Sequence, residues 1–230
     1  MKKLSFLFLF LTTILTAQTD IYFTSKPSLS PDGSKIVFSF DGDLWTVSNN
    51  GGQSLRITAM QGDETDALYS PDGKLIAFTG SEDGNQNVYV MPVGGGEIKQ
   101  LTYYDRNDAV SSWSWDSKFI YFTSNRYNRM STYKVSIYGG TPERLFENYF
   151  NWPHNLVINP ITEEYLFNET WESSIFTNRK RYKGAFNPDI KSYNPNTKEF
   201  KKLTTWKGKD FWTTIDKNGK IYFDVCDIKN

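Results

Sequence analysis

At 230 residues, with 26 Lys and Arg against 26 Asp and Glu, the chain carries no formal net charge, which removes the electrostatic basis for nucleic-acid binding. A lone cysteine, Cys226, cannot close an intramolecular disulfide, so cysteine usage says nothing about redox compartment. Aromatic residues make up 17% of the chain, and stretches with helical periodicity are scarce, which points to an all-β protein.

The first 17 residues read as a secretory signal peptide. Lys2-Lys3 is a basic n-region, Leu4 to Leu15 is an apolar h-region, and Leu15-Thr16-Ala17 supplies a small residue for cleavage before Gln18. The h-region, about 12 residues, is short of the roughly 20 a helical span needs. The expectation is an exported chain, periplasmic or secreted, without stable membrane insertion after cleavage; a retained membrane anchor is the alternative.

Beyond the leader the chain repeats itself. Leu29-Ser30-Pro31-Asp32-Gly33-Ser34-Lys35 followed by Ile36-Val37-Phe38 returns as Tyr69-Ser70-Pro71-Asp72-Gly73-Lys74 followed by Leu75-Ile76-Ala77-Phe78. Trp113-Ser114-Trp115-Asp116-Ser117-Lys118 followed by Phe119-Ile120-Tyr121-Phe122 is a third, degraded copy. Proline presets φ, aspartate caps the local backbone and glycine accepts positive φ, so each copy predicts a tight turn entering a buried strand. Asp32 and Asp72 are 40 residues apart, and Asp72 and Asp116 are 44 apart. Ile57-Thr58, Leu101-Thr102, Leu145-Phe146 and Leu203-Thr204 close successive units. A period of roughly 40–45 residues with four strands per unit is the mark of propeller blades. Asn49-Asn50-Gly51-Gly52, Gly94-Gly95-Gly96 and Gly139-Gly140 read as glycines of a second hairpin in each unit. No helix pattern follows them, which argues against a phosphate-binding loop.

The predicted blades span about 21–58, 67–102, 109–146 and 154–204, with a partial fifth over 210–223 and an irregular or truncated tail over 224–230. The fourth is interrupted by an insertion from Glu169 to Pro188 that carries Arg179-Lys180-Arg181-Tyr182-Lys183. Four blades and half of a fifth make an incomplete ring, and ring closure is what removes sheet edges in a propeller. The expectation is therefore a piece of a longer protein, against the alternative of a small self-contained propeller.

Ser70 to Thr102, with Ser-Pro-Asp-Gly-Lys, then Asn87-Val88-Tyr89-Val90, then Gly-Gly, then Gln100-Leu101-Thr102, resembles the TolB-like or WD40-like blade almost position for position. The export signal followed by Asp41-Gly42-Asp43-Leu44-Trp45 and Glu64-Thr65-Asp66-Ala67 more specifically resembles bacterial tricorn-like serine proteases, of the C-terminal-processing peptidase superfamily. The resemblance runs to about Phe223. It implies a non-catalytic N-terminal propeller acting in peptide access, substrate binding or scaffolding. PDZ and peptidase domains, and every catalytic residue, would then lie beyond Asn230. The rival is a standalone periplasmic protein-binding propeller without enzymatic activity.

The chain itself shows no Gly-x-Ser-x-Gly elbow, no His-Glu-x-x-His and no Cys pair at metal spacing, so no catalytic, cofactor or metal residue is assigned. His154 reads as a packed or rim histidine rather than a general base. Asp63, Glu64 and Asp66 read as solvated loop carboxylates, and Asp41-x-Asp43 is too small a set for calcium. Loops between second and third strands gather on one face of a propeller, and arginine with aromatics there suits carboxylate or peptide recognition. The candidate peptide or partner face is Arg126, Arg129, Trp171, Arg179, Arg181 and Tyr182, with an ordinary solvated rim as the alternative.

Overall fold

The structure, a computed structural model, describes residues 24–226 apart from 177, 178, 180, 181 and 183. The leader, Arg181 and residues 227–230 lie outside the described residues. Four four-stranded antiparallel sheets follow one another along the chain, each with its strands in sequence order. The first holds β1 (Ser25–Leu29), β2 (Lys35–Phe40), β3 (Asp43–Ser48) and β4 (Leu55–Arg56). The second holds β5 (Glu64–Tyr69), β6 (Leu75–Gly80), β7 (Asn87–Pro92) and β8 (Lys99–Gln100). The third holds β9 (Asp108–Trp113), β10 (Phe119–Ser124), β11 (Ser131–Ser136) and β12 (Glu143–Arg144). The fourth holds β13 (His154–Ile158), β14 (Tyr165–Asn168), β15 (Lys191–Tyr193) and β16 (Phe200–Lys202). A two-stranded sheet, β17 (Lys209–Ile215) with β18 (Ile221–Cys226), begins a fifth blade. The strand thus continues through Asp224 and Val225, past Phe223, where the repeat pattern fades in the sequence.

The first strands pack in succession, β1 on β5, β5 on β9, β9 on β13 and β13 on β17, so they form the inner wall of an open arc of blades. The architecture is an open β-propeller. Between β14 and β15 lies the insertion, whose regular structure is one 3-10 turn over Trp171–Ser173.

The repeated turn works by a small set of bonds. The Gly33 amide donates to Ser30 O and the Ser30 amide to Lys35 O, both at 2.8 Å. Ser30 Oγ donates to Asp32 Oδ1 at 2.6 Å and accepts the Lys35 amide at 2.9 Å. The Ser30 hydroxyl and the Ser34 amide hold the Asp32 carboxyl down at about 2. The degraded third copy keeps the design: Ser114 Oγ donates to Asp116 Oδ1 at 2.6 Å, and Ser117 takes the left-handed φ of 59° that glycine takes elsewhere. Trp115, in the proline position, instead sends its indole N–H to Ile158 O in the next blade at 2.7 Å.

Strand registers put aromatic side chains opposite one another. Phe78 pairs with Tyr89 and Phe122 with Tyr133, and both pairs stack, with centroids 5.5 and 5.6 Å apart. Ala77, Val88, Ile120, Phe122 and Val135 form one core between the second and third blades, and Val37, Leu44, Ile76, Phe78 and Tyr89 another between the first and second. Each such valine, leucine, isoleucine or phenylalanine contributes about 1.5–3 kcal/mol when fully buried. The core of this fold therefore lies in the seams between blades.

Three of the four seams also carry a polar clasp built on a threonine. Thr58 Oγ1 accepts the Leu44 amide and donates to Glu64 Oε2, both at 2.8 Å. Thr102 Oγ1 accepts the Val88 amide at 2.9 Å, and Thr204 Oγ1 accepts the Ile190 amide at 3.0 Å, beside Asp108 and Asp210 respectively. The closing threonine of one blade therefore caps that blade's third strand while facing the acid that opens the next. At the third seam Phe146 replaces the threonine and Pro153 the acid, and Phe146 packs with Tyr121, Leu156 and Phe167.

Candidate functional site

A cavity of about 490 Å³ opens between the inner strands, with lining residues from all five blades, among them Lys26, Asp66, Val110, Asn155 and Trp212. Its wall is irregular for a common reason. Lys26, Asp66, Asn155 and Trp212 adopt left-handed φ of 52°, 53°, 51° and 55°. Each sits four residues before the residue that opens its blade's turn, respectively Ser30, Ser70, Asn159 and Asp216. The ladder slips its register at each of these residues. Such bulges re-aim side chains, and left-handed non-glycine residues cost of order 1–3 kcal/mol where the surroundings enforce them. In β9 the equivalent residue is Val110, whose β-branch disfavours that conformation; its amide donates to Thr79 Oγ1 at 2.9 Å.

The charges at the wall are largely settled. Lys26 Nζ lies 2.9 Å from Asp66 Oδ1, joining the first two blades across the cavity. Among the described residues Asp66 is the acidic group in the lining, so this pairing leaves Arg129, exposed at the mouth, as the cation facing neutral polar groups such as Asn107, Asn125 and Ser174.

His154 also lines the cavity but is buried. Its Nδ1 is 2.8 Å from Trp152 O, a group that can only accept, so the ring proton sits on Nδ1. Nε2 is 2.8 Å from Ser173 Oγ, which also lies 2.7 Å from Thr170 O, so one hydroxyl proton serves two acceptors. Burial pulls the imidazole down to about 4, keeping it neutral. The pair fastens the insertion to β13 and has the character of a packed histidine.

Of the six residues read as a binding face, three of the five described ones are engaged within the protein. Arg126 turns inward: its side chain is 13% exposed, it is bonded to the fully buried Asp108, and it lies over the rings of Tyr104, Phe122 and Tyr133. Arg179 Nη1 is 2.7 Å from Glu172 Oε1 and stacks over Tyr182, with the centroid 4.4 Å away. Trp171 packs on Phe186, 4.8 Å between centroids. Arg181 lies outside the described residues. Among the described members of the set, Arg129 lines the cavity. The insertion is also tied to the fifth blade: Lys209 at the start of β17 is buried with its Nζ 2.9 Å from Glu172 Oε2 and 2.7 Å from Phe176 O. The reading of Asp63, Glu64 and Asp66 as a solvated loop is corrected for two of them. Glu64 is 1% exposed, since it opens β5 against the preceding blade, and Asp66 is a channel residue. Asp43 is held 2.8 Å from Arg56 Nη2.

The left-handed ring of Lys26, Asp66, Asn155 and Trp212 escaped the sequence reading. Its signal was the fixed distance to the turn, in residues whose types share nothing else.

The profile of the tricorn protease N-terminal beta propeller domain matches residues 21–227, nearly the whole chain, and the chain belongs to that family. Over 63 residues it is 33% identical to tricorn protease homolog 1 of Streptomyces coelicolor, covering 27% of this chain and 6% of that one. Among solved structures it is similar to a putative TolB from Agrobacterium tumefaciens, with a TM-score of 0.73 at 19% identity, covering 90% of this chain and 72% of that one. It is also similar to tricorn protease, with a TM-score of 0.61 at 13% identity, covering 88% of this chain and 25% of that one. The chain thus spans a small fraction of the peptidases it matches. Among the described residues no helix is long and apolar enough to cross a membrane.

Proposed function

We propose that this chain is the non-catalytic N-terminal propeller of an exported tricorn-like serine peptidase, engaging peptide at the cavity mouth while hydrolysis belongs to another part of a longer protein. The observation that supports this most directly is the inner-strand cavity with Arg129 exposed at its mouth and, among the described residues, in no ion pair, in a chain of the tricorn propeller family. A guanidinium among neutral amide and hydroxyl groups suits a peptide carboxylate, which it can bind in a bidentate fork. The leader over residues 1–17 supports export, with a periplasmic or secreted destination.

Fluorescence anisotropy with labelled peptides tests the reading. Peptides with a free C-terminal carboxylate should bind, and Arg129→Ala or amidation of the peptide should weaken binding at least tenfold, given about 1.5–3 kcal/mol for a charge-assisted bond. Equal binding by both peptides and both proteins would remove the cavity from the function. The similarity to TolB over 90% of this chain supports a second reading, a propeller that holds a folded envelope protein without access to a peptidase. Capture of a folded partner that unlabelled peptide does not displace would favour it.

A further inference from the structure

The four seams are quasi-equivalent, and comparing them position by position separates the outer two from the central two. The third strand is preceded or opened by Asp43, Asn87, Ser131 and Asp189 in successive blades. Two residues before the closing threonine position stand Arg56, Gln100, Arg144 and Lys202. At the acid position that opens the next blade stand Glu64, Asp108, Pro153 and Asp210. Where the first position is an aspartate, the second is a cation bonded to it: Arg56 Nη2 to Asp43 Oδ2 at 2.8 Å, and Lys202 Nζ to Asp189 Oδ2 at 2.7 Å. Where it is Asn87, the second is the neutral Gln100. Where it is Ser131, the freed Arg144 stacks over Tyr127, its guanidinium carbon 3.5 Å from the ring centroid.

The outer seams therefore bring two carboxyl groups to one cation. Glu64 and Asp210 are both 1% exposed. The Glu64 amide donates to Gly42 O at 2.7 Å, which brings it against Asp43, while Thr58 donates to Oε2 and no donor reaches Oε1. Asp210 shows the same deficit, with neither oxygen bonded, and Asp189 Oδ1 is likewise unbonded. A buried carboxylate oxygen with no donor beside it is costly, whereas a carboxylic acid O–H beside a second carboxylate is satisfied. Two carboxyls sharing one site hold one proton between them.

We propose that Glu64 and Asp210 are carried in the folded protein as neutral carboxylic acids whose O–H groups donate to Asp43 and Asp189, so that the first and last seams of the arc are proton-held latches. Loss of the proton to solvent leaves two carboxylates against one cation in each seam, and the outer blades loosen while the central three stay joined. The groups facing Glu64 are Asp43 on β3, Arg56 on β4 and Tyr89 on β7; those facing Asp210 are Asp189 and Lys202. Burial, with Asp43 adding to it, pushes Glu64 up to about 7, and burial raises Asp210 also, with Asp189 adding to it. Burial raises Asp108 too, but the Arg126 guanidinium bonded to it gives the anion a partner of its own. Because β1, β5 and β17 wall the cavity, loosening these seams opens it. The latch is independent of whether that cavity takes peptide.

Two measurements test it. Infrared difference spectra of the wild type at neutral pH, taken against Glu64→Gln and Asp210→Asn, should show a protonated carboxyl carbonyl band lost in each variant. Hydrogen exchange at β5 should speed up about tenfold for each pH unit between 4.5 and 7 and level off above 7, and exchange at β17 should rise in the same way above the ordinary aspartate range, as a proton-linked opening requires. That acceleration, after correction for intrinsic exchange, should be absent in the variants and at β9. Absence of the carbonyl band in the wild type overturns the proposal even if a variant fails to fold. So does a β5 exchange profile that Glu64→Gln leaves unchanged. A rise in melting temperature with calcium chloride that is lost in Glu64→Gln overturns it as well, by making the seam a cation site.

Discussion

Thr58 spans the seam between the first two blades: its hydroxyl accepts the Leu44 amide of its own blade and donates to Glu64 of the next, each at 2.8 Å. One side chain thus couples the end of a blade to the start of its neighbour. Thr58→Val keeps the shape and removes both bonds, leaving the Leu44 amide and Glu64 Oε2 without a partner. The expected cost is about 1–3 kcal/mol in urea unfolding, mostly from the orphaned groups. Thr204→Val should cost less, because Asp210 takes no hydrogen bond of normal length from Thr204.

Glu64 and His154 give stability opposite slopes with pH. Glu64 is raised from 4.5 to about 7, so its contribution is complete below 4.5 and is lost as pH rises through 7. His154 is lowered from 6.5 to about 4, so its contribution is complete above 6.5 and is lost as pH falls through 4. Because the two windows overlap, each variant unmasks the other slope: melting temperatures should rise between pH 4 and 6.5 in Glu64→Gln and fall between pH 4.5 and 7 in His154→Gln. Identical profiles for wild type and variants would contradict both assignments.

Arg126 and Arg129 lie three residues apart and should behave as opposites. Arg126→Ala strands the fully buried Asp108 and should destabilise the fold by about 3–5 kcal/mol. Arg129→Ala should leave the melting temperature within a degree or two of wild type, as expected for a surface change, and should lower peptide affinity. Differential scanning fluorimetry beside binding anisotropy separates the two.

Lys209 is the buried cation that ties the insertion to the fifth blade. Lys209→Met leaves Glu172 with Arg179 alone, whose side chain is 51% exposed, and should cost about 3 kcal/mol. Limited proteolysis should then cut first between Ile175 and Phe186, and adding Glu172→Gln should recover part of the loss.

Gly80 ends β6 with its α-carbon facing a packed ring. A Cβ there would lie 2.9 Å from Cε2 of Tyr89, which is stacked on Phe78 and cannot retreat. Gly80→Ala should cost about 1–3 kcal/mol by denaturant unfolding. Gly51→Ala meets no neighbouring atom and bears only the strain of its φ of 80°.

The blades were legible in the sequence because their cause is local. Ser30, Asp32 and Gly33 build the turn with bonds reaching no further than Lys35, and the strands that follow declare themselves by apolar runs. The closing Leu-Thr marker was visible too, but its purpose was not, since Thr58 acts on Leu44 and Glu64 together only after two blades meet. Arg126 and Arg179 looked like surface recognition groups, being basic residues among aromatics in loops. Tertiary structure alone placed Asp108 and Glu172, both fully buried, within their reach and so turned them into internal ties. Glu64 was similarly hidden: acidic loop composition predicts hydration, whereas the seam takes its carboxyl out of water and changes its protonation. Local chemistry thus determined the repeat, and packing between repeats decided which of its charges are surface, which are structural and which hold a proton.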